Sequence, residues 1–152
     1  MAGILRLETL KTDPICPQEF IEIGDYNKGE RKFVRALRPM WSSMEIYHES
    51  VMLVLEEEDR CRRCIPDFLV KMDNQSGLLV EVSTSFAREK KRQKHIMQRI
   101  SDIEGWDLKP GMHLDHVFPA VICQIDDKNH LRIRSELYSA FLDGLQRKRH
   151  RG

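Results

Sequence analysis

The sequence has no apolar run approaching the roughly 18–20 residues that a membrane-spanning helix needs, so a spanning segment is not expected. Its start, Met1-Ala2-Gly3-Ile4-Leu5-Arg6-Leu7, is too short and too soon charged for a secretory signal. Cysteine is scarce: Cys16, Cys61, Cys64 and Cys123 are the four. With no signal, these thiols point to a reducing, cytoplasmic setting. Cys61-Arg62-Arg63-Cys64 has zinc or redox spacing, but no second pair of that kind follows it. Cys16 and His48 could complete four ligands, yet no spacing demands it; two ordinary thiols is the favoured reading. There is no internal repeat and no low-complexity linker. Net charge is also nearly absent, at +1, so no overall basicity announces nucleic acid.

What is present is segregated charge on a chain with a core. Apolar residues make up 41% of 152, enough for one compact domain. Glu56, Glu57, Glu58 and Asp59 form an acidic run, while residues 88–99 and 147–151 are strongly basic.

Two short apolar runs organise the rest. Ile65-Pro66-Asp67-Phe68-Leu69-Val70 and Leu78-Leu79-Val80-Glu81-Val82-Ser83 read as strands. The turn formers Met72-Asp73-Asn74-Gln75-Ser76-Gly77 lie between them. Each strand of this hairpin carries one carboxylate in an apolar context. If the register sets Asp67 beside Glu81, two like charges meet, and a divalent cation is the usual relief. The plain alternative is a strand-edge Asp67 and a Glu81 on a solvated face.

The remaining elements follow from periodicity. Residues 1–24 read as an N-terminal arm, with a strand over Ile4 to Leu10 that packs on the domain or on a partner. Tyr26, Phe33, Val34 and Leu37 predict a helix over 25–37, capped by Asp25 and ended by Pro39. Glu30 lies on that helix, either solvated or as an acid of a metal site. Met44 to Leu55 reads as one strand with His48 and Glu49 in its middle, one of which must point inward. The acidic run then forms a hairpin tip. Residues 85–100 predict a helix, with Phe86, Ile96 and Ile100 on its apolar stripe. Trp106 to Gly111 reads as a turn, His116 to Ile125 as a buried central strand, and Leu131 to Arg134 as an edge strand. Ser135 to Gln146 predicts a final amphipathic helix before a basic tail at 147–152. Together these make an α/β (α+β) domain over 25–146, a mixed central β-sheet flanked by helices.

Pro66-Asp67, thirteen residues, then Glu81-Val82-Ser83 resembles the PD-(D/E)XK nuclease motif. With Glu30 on a first helix and a strand through His48-Glu49, it looks most like the TnsA-like endonuclease subunits of heteromeric transposases. The resemblance covers roughly residues 25–125. It implies a restriction-endonuclease-like core that runs helix, three antiparallel strands, helix, strand. It implies Mg2+ (or Mn2+) held by Asp67, Glu81, Glu30 and the Val82 carbonyl, and hydrolysis of DNA phosphodiesters. The motif Lys is replaced by Ser83, which could position the water but supplies no positive charge. Lys90 or Lys91 could stand in for it. Arg88, Arg92, Lys94 and Arg99 are the expected DNA contacts, neutralising phosphates. Implied partners are DNA, a transposase or recombination protein, and a second copy of the chain in a homodimer; no membrane is implied. Two other readings stay open: a catalytically degenerate DNA-binding or scaffolding subunit, and an unrelated domain whose acid pair is coincidental.

Overall fold

A computed structural model describes residues 3–23, 28–72, 75–82, 96, 97, 99, 100, 103, 106–109, 112–125 and 131–133. Strand β1 (Ile4–Thr9) is followed by helices α1 (Pro17–Glu22) and α2 (Lys28–Ala36) and a 3-10 turn (Arg38–Ser43). Then come β2 (Met44–His48), β3 (Val51–Glu56), β4 (Cys61–Cys64), β5 (Phe68–Met72) and β6 (Ser76–Val82). Strands β7 (Trp106–Lys109), β8 (Met112–Leu114), β9 (His116–Ile125) and β10 (Leu131–Ile133) complete the order. The fold is mixed α+β with few helices. No helix among the described residues is long and apolar enough to cross a membrane.

Among the described residues three sheets form: β1-β3-β4, the five-stranded β10-β9-β6-β5-β2, and the β7-β8 hairpin. In the five-stranded sheet, β5 runs antiparallel to both of its neighbours, β2 and β6, whereas β6 and β9 run parallel. A parallel neighbour cannot follow through a tight turn, so the chain from Val82 to His116 makes the crossover.

Alternation along the strands sorts the core onto two faces. Ile46, Phe68, Val70, Val80, Val82, Ala120 and Ile122 pack with Phe20 and Ile21 of α1 and Phe33 and Val34 of α2. Tyr47, Leu69 and Leu79 face the other way, onto Leu5, Leu53 and Leu55 of the three-stranded sheet and onto Ile96, Met97 and Ile100. A sheet covered on both sides needs apolar residues at consecutive positions, which is why Phe68-Leu69-Val70 and Leu78-Leu79-Val80 are unbroken runs. Gly77 lets the β7-β8 hairpin approach. A Cβ there would sit 2.9 Å from Leu114 Cδ1 and 3.4 Å from the Val70 carbonyl oxygen.

Several sequence expectations need correction. Met44 to Leu55 is two strands in two sheets: β2 pairs with β5, β3 with β1 and β4. The chain breaks at Glu49, whose φ of 48° is left-handed. The following Ser50 carbonyl accepts from Leu10 N–H at 2.7 Å and Lys11 N–H at 3.1 Å. Nor does one strand cover Ile65 to Val70. Cys61–Cys64 pairs with β3, and β5 starts only at Phe68. Pro66, which has no N–H for a ladder, lies in the gap. Trp106 to Gly111 is more than a turn, because Trp106–Lys109 is a strand with Trp106 and Leu108 buried. Strand β9 is second from the sheet edge, and β6 holds the centre.

Other expectations agree. The helix at 25–37 is present as Lys28–Ala36, and residues 24–27, including Asp25, lie outside the described residues. The acidic run caps the β3-β4 hairpin, with Glu57 N–H donating to the Arg60 carbonyl at 2.9 Å. The N-terminal stretch carries the expected strand and also helix α1, started by Pro17 in its first turn. Of the basic helix at 85–100, only residues 96, 97, 99 and 100 are described; the helix at 135–146 and the basic tail lie outside.

Candidate metal centre

The site is built where one end of the five-stranded sheet meets α2. The pairings His48↔Phe68, Phe68↔Val80 and Val80↔Ala120 align β2, β5, β6 and β9 in one row. One residue beyond that row lie Glu49, which follows β2, Asp67, which precedes β5, and Glu81 on β6. Backbone bonds fix that row. Glu49 N–H donates to the Asp67 carbonyl at 2.9 Å. Val82 N–H donates to Asp67 Oδ2 at 2.7 Å. The Asp67 carboxylate thus extends the β5-β6 ladder beyond its last pair. Asp67 beside Glu81 is the register the sequence left conditional.

Glu81 is only 3% exposed. Burying a carboxylate is expensive, and a second acid across the ladder adds repulsion. Such a pair tends to acquire a cation or a proton. Val80 and Val82 belong to the helix-side core. Alternation therefore sets Glu81 on the opposite face, that of Leu79.

On the helix side a second group assembles. Glu30, in the first turn of α2, where a carboxylate is favoured by the helix dipole, reaches His48: Oε2 lies 3.4 Å from His48 Nε2. Glu49 Oε1 lies 3.2 Å from the same nitrogen. His48 is 9% exposed, Glu30 13% and Glu49 48% by side chain. Phe20 and Phe68 hold the imidazole, with ring centroids at 5.0 and 5.3 Å. One ligand atom from each of Glu30, His48 and Glu49 can be chosen so that all lie within 4.8 Å of one another, and the group could hold a metal ion. Left-handed backbone at a non-glycine residue costs about 1–3 kcal/mol, so the turn at Glu49 stores strain beside the cluster.

No protein-family model, curated protein or solved structure matches this chain.

The expected site residues thus fall into groups. Asp67, Glu81 and Val82 are brought together by the β5-β6 register, with the Val82 side chain in the core. Glu30 lies at the same sheet end, beside His48 and Glu49. Arg99 is partly buried, and its Nη2 donates to the Gly3 carbonyl at 2.7 Å, which ties the Ile96–Ile100 stretch to the N-terminal strand. Ser83, Lys90, Lys91, Arg88, Arg92 and Lys94 lie outside the described residues. Cys61 is exposed and Cys64 buried, on opposite sides of β4, as strand alternation requires. The joint grouping of His48 and Glu49 with Glu30 was not foreseen. Its sequence signal is a His-Glu dipeptide interrupting an otherwise apolar strand pattern.

Away from this site, the solvent-facing side of hairpin β7-β8 carries His113 between two carboxylates. His113 Nδ1 lies 2.7 Å from Asp107 Oδ1, and Nε2 lies 3.2 Å from Asp115 Oδ1. The hydrogen bond to Asp107 is the main reason the imidazole pKa is raised above its ordinary value.

Proposed function

We propose that the chain is a metal-dependent DNA endonuclease with a restriction-endonuclease-like core, acting as the cleaving subunit of a transposase or recombination complex. The observation that carries this reading is the acid pair: Asp67, just before β5, lies at the end of β6 that carries Glu81, with Val82 N–H bonded to Asp67 Oδ2. The element order adds support. With β3 and β4 set aside in their own sheet, the order is α2, β2, β5, β6, then β9 parallel to β6. This order is compatible with the first helix, three antiparallel strands and last strand of the PD-(D/E)XK core, whose second helix would fall outside the described residues.

The donor set suits a hard cation such as Mg2+ or Mn2+, since both acids offer oxygen ligands. When bound, the cation supplies charge for the scissile phosphate and acidifies its water for in-line attack. Asp67 and Glu81 hold it, and the Val82 carbonyl is the natural further ligand. Glu30, expected as a further ligand, lies at the same end of the sheet but on its helix side, grouped with His48 and Glu49. Ser83 orients the water, and Lys90 or Lys91 contributes the positive charge that Ser83 cannot. Arg88, Arg92 and Lys94 grip phosphates without reading sequence, while Arg99 braces the fold through the Gly3 carbonyl, so specificity comes from a partner or from DNA shape. Ser83 in the motif Lys position favours one alternative, a DNA-binding or scaffolding subunit that has lost cleavage.

Nicking of supercoiled plasmid in Mn2+ tests the reading. Wild type is expected to nick, and Asp67→Ala and Glu81→Ala to lose nicking while still shifting DNA on a gel. A wild type that shifts DNA but never nicks it would support the degenerate subunit. A wild type that neither nicks nor shifts DNA would leave the acid pair coincidental.

A further inference from the structure

We propose that Glu30, His48 and Glu49 form a mixed nitrogen–oxygen site for one divalent transition-metal ion of the Mn2+ or Zn2+ class, separate from the Asp67–Glu81 pair. The proposal does not depend on the endonuclease reading.

The geometry converges on one atom. His48 Nε2 is approached by Glu30 Oε2 at 3.4 Å and by Glu49 Oε1 at 3.2 Å. Bonds of about 2.0–2.2 Å to a shared ion separate neighbouring ligand atoms by about 3.0–3.5 Å. Both distances fall in that range, and all three ligand atoms lie within 4.8 Å of one another. The ligands come from three places in the fold: the first turn of α2, the end of β2 and the left-handed residue that follows it. Sequence neighbours alone would not meet so.

Rigidity and charge agree with this reading. The imidazole is wedged edge-on to Phe20 and tilted against Phe68, and at 9% exposure it is fixed in a largely dry setting. A neutral imidazole and two carboxylates carry two negative charges, which one dication balances. Glu49 is 48% exposed, so the site has an open side for water or an exchanging ligand. The donor set also selects the metal. Imidazole suits Mn2+, Zn2+, Fe2+ or Ni2+, whereas Mg2+ prefers all-oxygen surroundings and keeps its waters. The competing arrangement is an imidazolium paired with both carboxylates, which would need no metal.

Pulsed electron paramagnetic resonance on the full chain with Mn2+ separates the two, because a bound imidazole nitrogen imprints its coupling on the manganese signal. Wild type is expected to show that coupling, and His48→Gln to lose it. Glu49→Gln, at a half-exposed position that does not threaten folding, is expected to weaken Mn2+ binding at this site by at least about tenfold. Excess Mg2+ is expected to leave the nitrogen coupling in place. Asp67→Ala is expected to keep the coupling even where nicking is lost, so failure of the endonuclease reading and failure of this one are distinguishable. Absence of nitrogen coupling in wild type, coupling unchanged in folded His48→Gln, or its loss in folded Asp67→Ala would each overturn the proposal.

Discussion

Glu81→Gln is expected to reduce metal-dependent nicking by at least about 10³-fold, while the protein stays folded. The first half follows from the cation's contribution to phosphodiester hydrolysis, several kcal/mol of transition-state stabilisation. Gln keeps the shape of Glu but removes its charge, so an ion held by the pair loses its buried anionic ligand. The second half follows from shape. Glu81 is 3% exposed, and Gln fills the same buried volume. Loss of activity in a protein that stays folded marks a group kept for function. Plasmid nicking and urea unfolding of the same preparations measure both halves. A Gln variant that nicks like wild type, or that unfolds more easily, would make Glu81 a structural acid.

The second large effect concerns the support behind the site. Phe68→Ala is expected to cost about 3–5 kcal/mol, the usual range for removing a buried aromatic ring. Phe68 is 1% exposed and joins three elements: its ring lies 5.7 Å from Phe20, 5.0 Å from Phe33 and 5.3 Å from His48. Domains of this size are stable by about 5–15 kcal/mol, so the loss would bring the protein near its unfolding threshold. Because Phe68 follows Asp67 and backs His48, both acid groups should loosen together. The urea midpoint reads the effect, and a cost below about 1 kcal/mol would mean that α1 and α2 do not depend on this ring.

How far the sequence anticipates the fold depends on how local each determinant is. Leu78 to Val82, interrupted only by Glu81, and His116 to Ile125 are predominantly apolar runs, and they become β6 and β9 close to the expected limits. Phe33, Val34 and Leu37 recur at helical spacing, and α2 forms around them. The break between β2 and β3 is marked only by the polar residues His48-Glu49-Ser50. Glu49 turns the chain with a left-handed backbone, a job usually given to glycine or asparagine, so these residues do not carry the usual signature of a turn. Pro66 does carry a signal, and it separates β4 from β5, although the residues on both sides remain strand-like. The short helix α1 is held by Phe20 and Ile21 packing on the sheet, a tertiary contact that its six residues do not announce.

The two acid groups divide in the same way. Asp67 and Glu81 are close in sequence and joined by a hairpin, so their pairing needed only the register to be settled. Glu30 meets His48 because α2 lies across the end of β2. That contact depends on the docking of a helix onto a sheet, which no spacing in the sequence specifies.

The acid pair as a metal centre is the claim on which the rest turns. Diffraction at the manganese absorption edge, from crystals of the protein grown with Mn2+ and a short duplex, tests it most directly. An anomalous peak between the carboxylates of Asp67 and Glu81, absent in Glu81→Gln, is the predicted result. An ordered Asp67–Glu81 pair with no peak beside it, in crystals whose duplex is bound, would contradict the account.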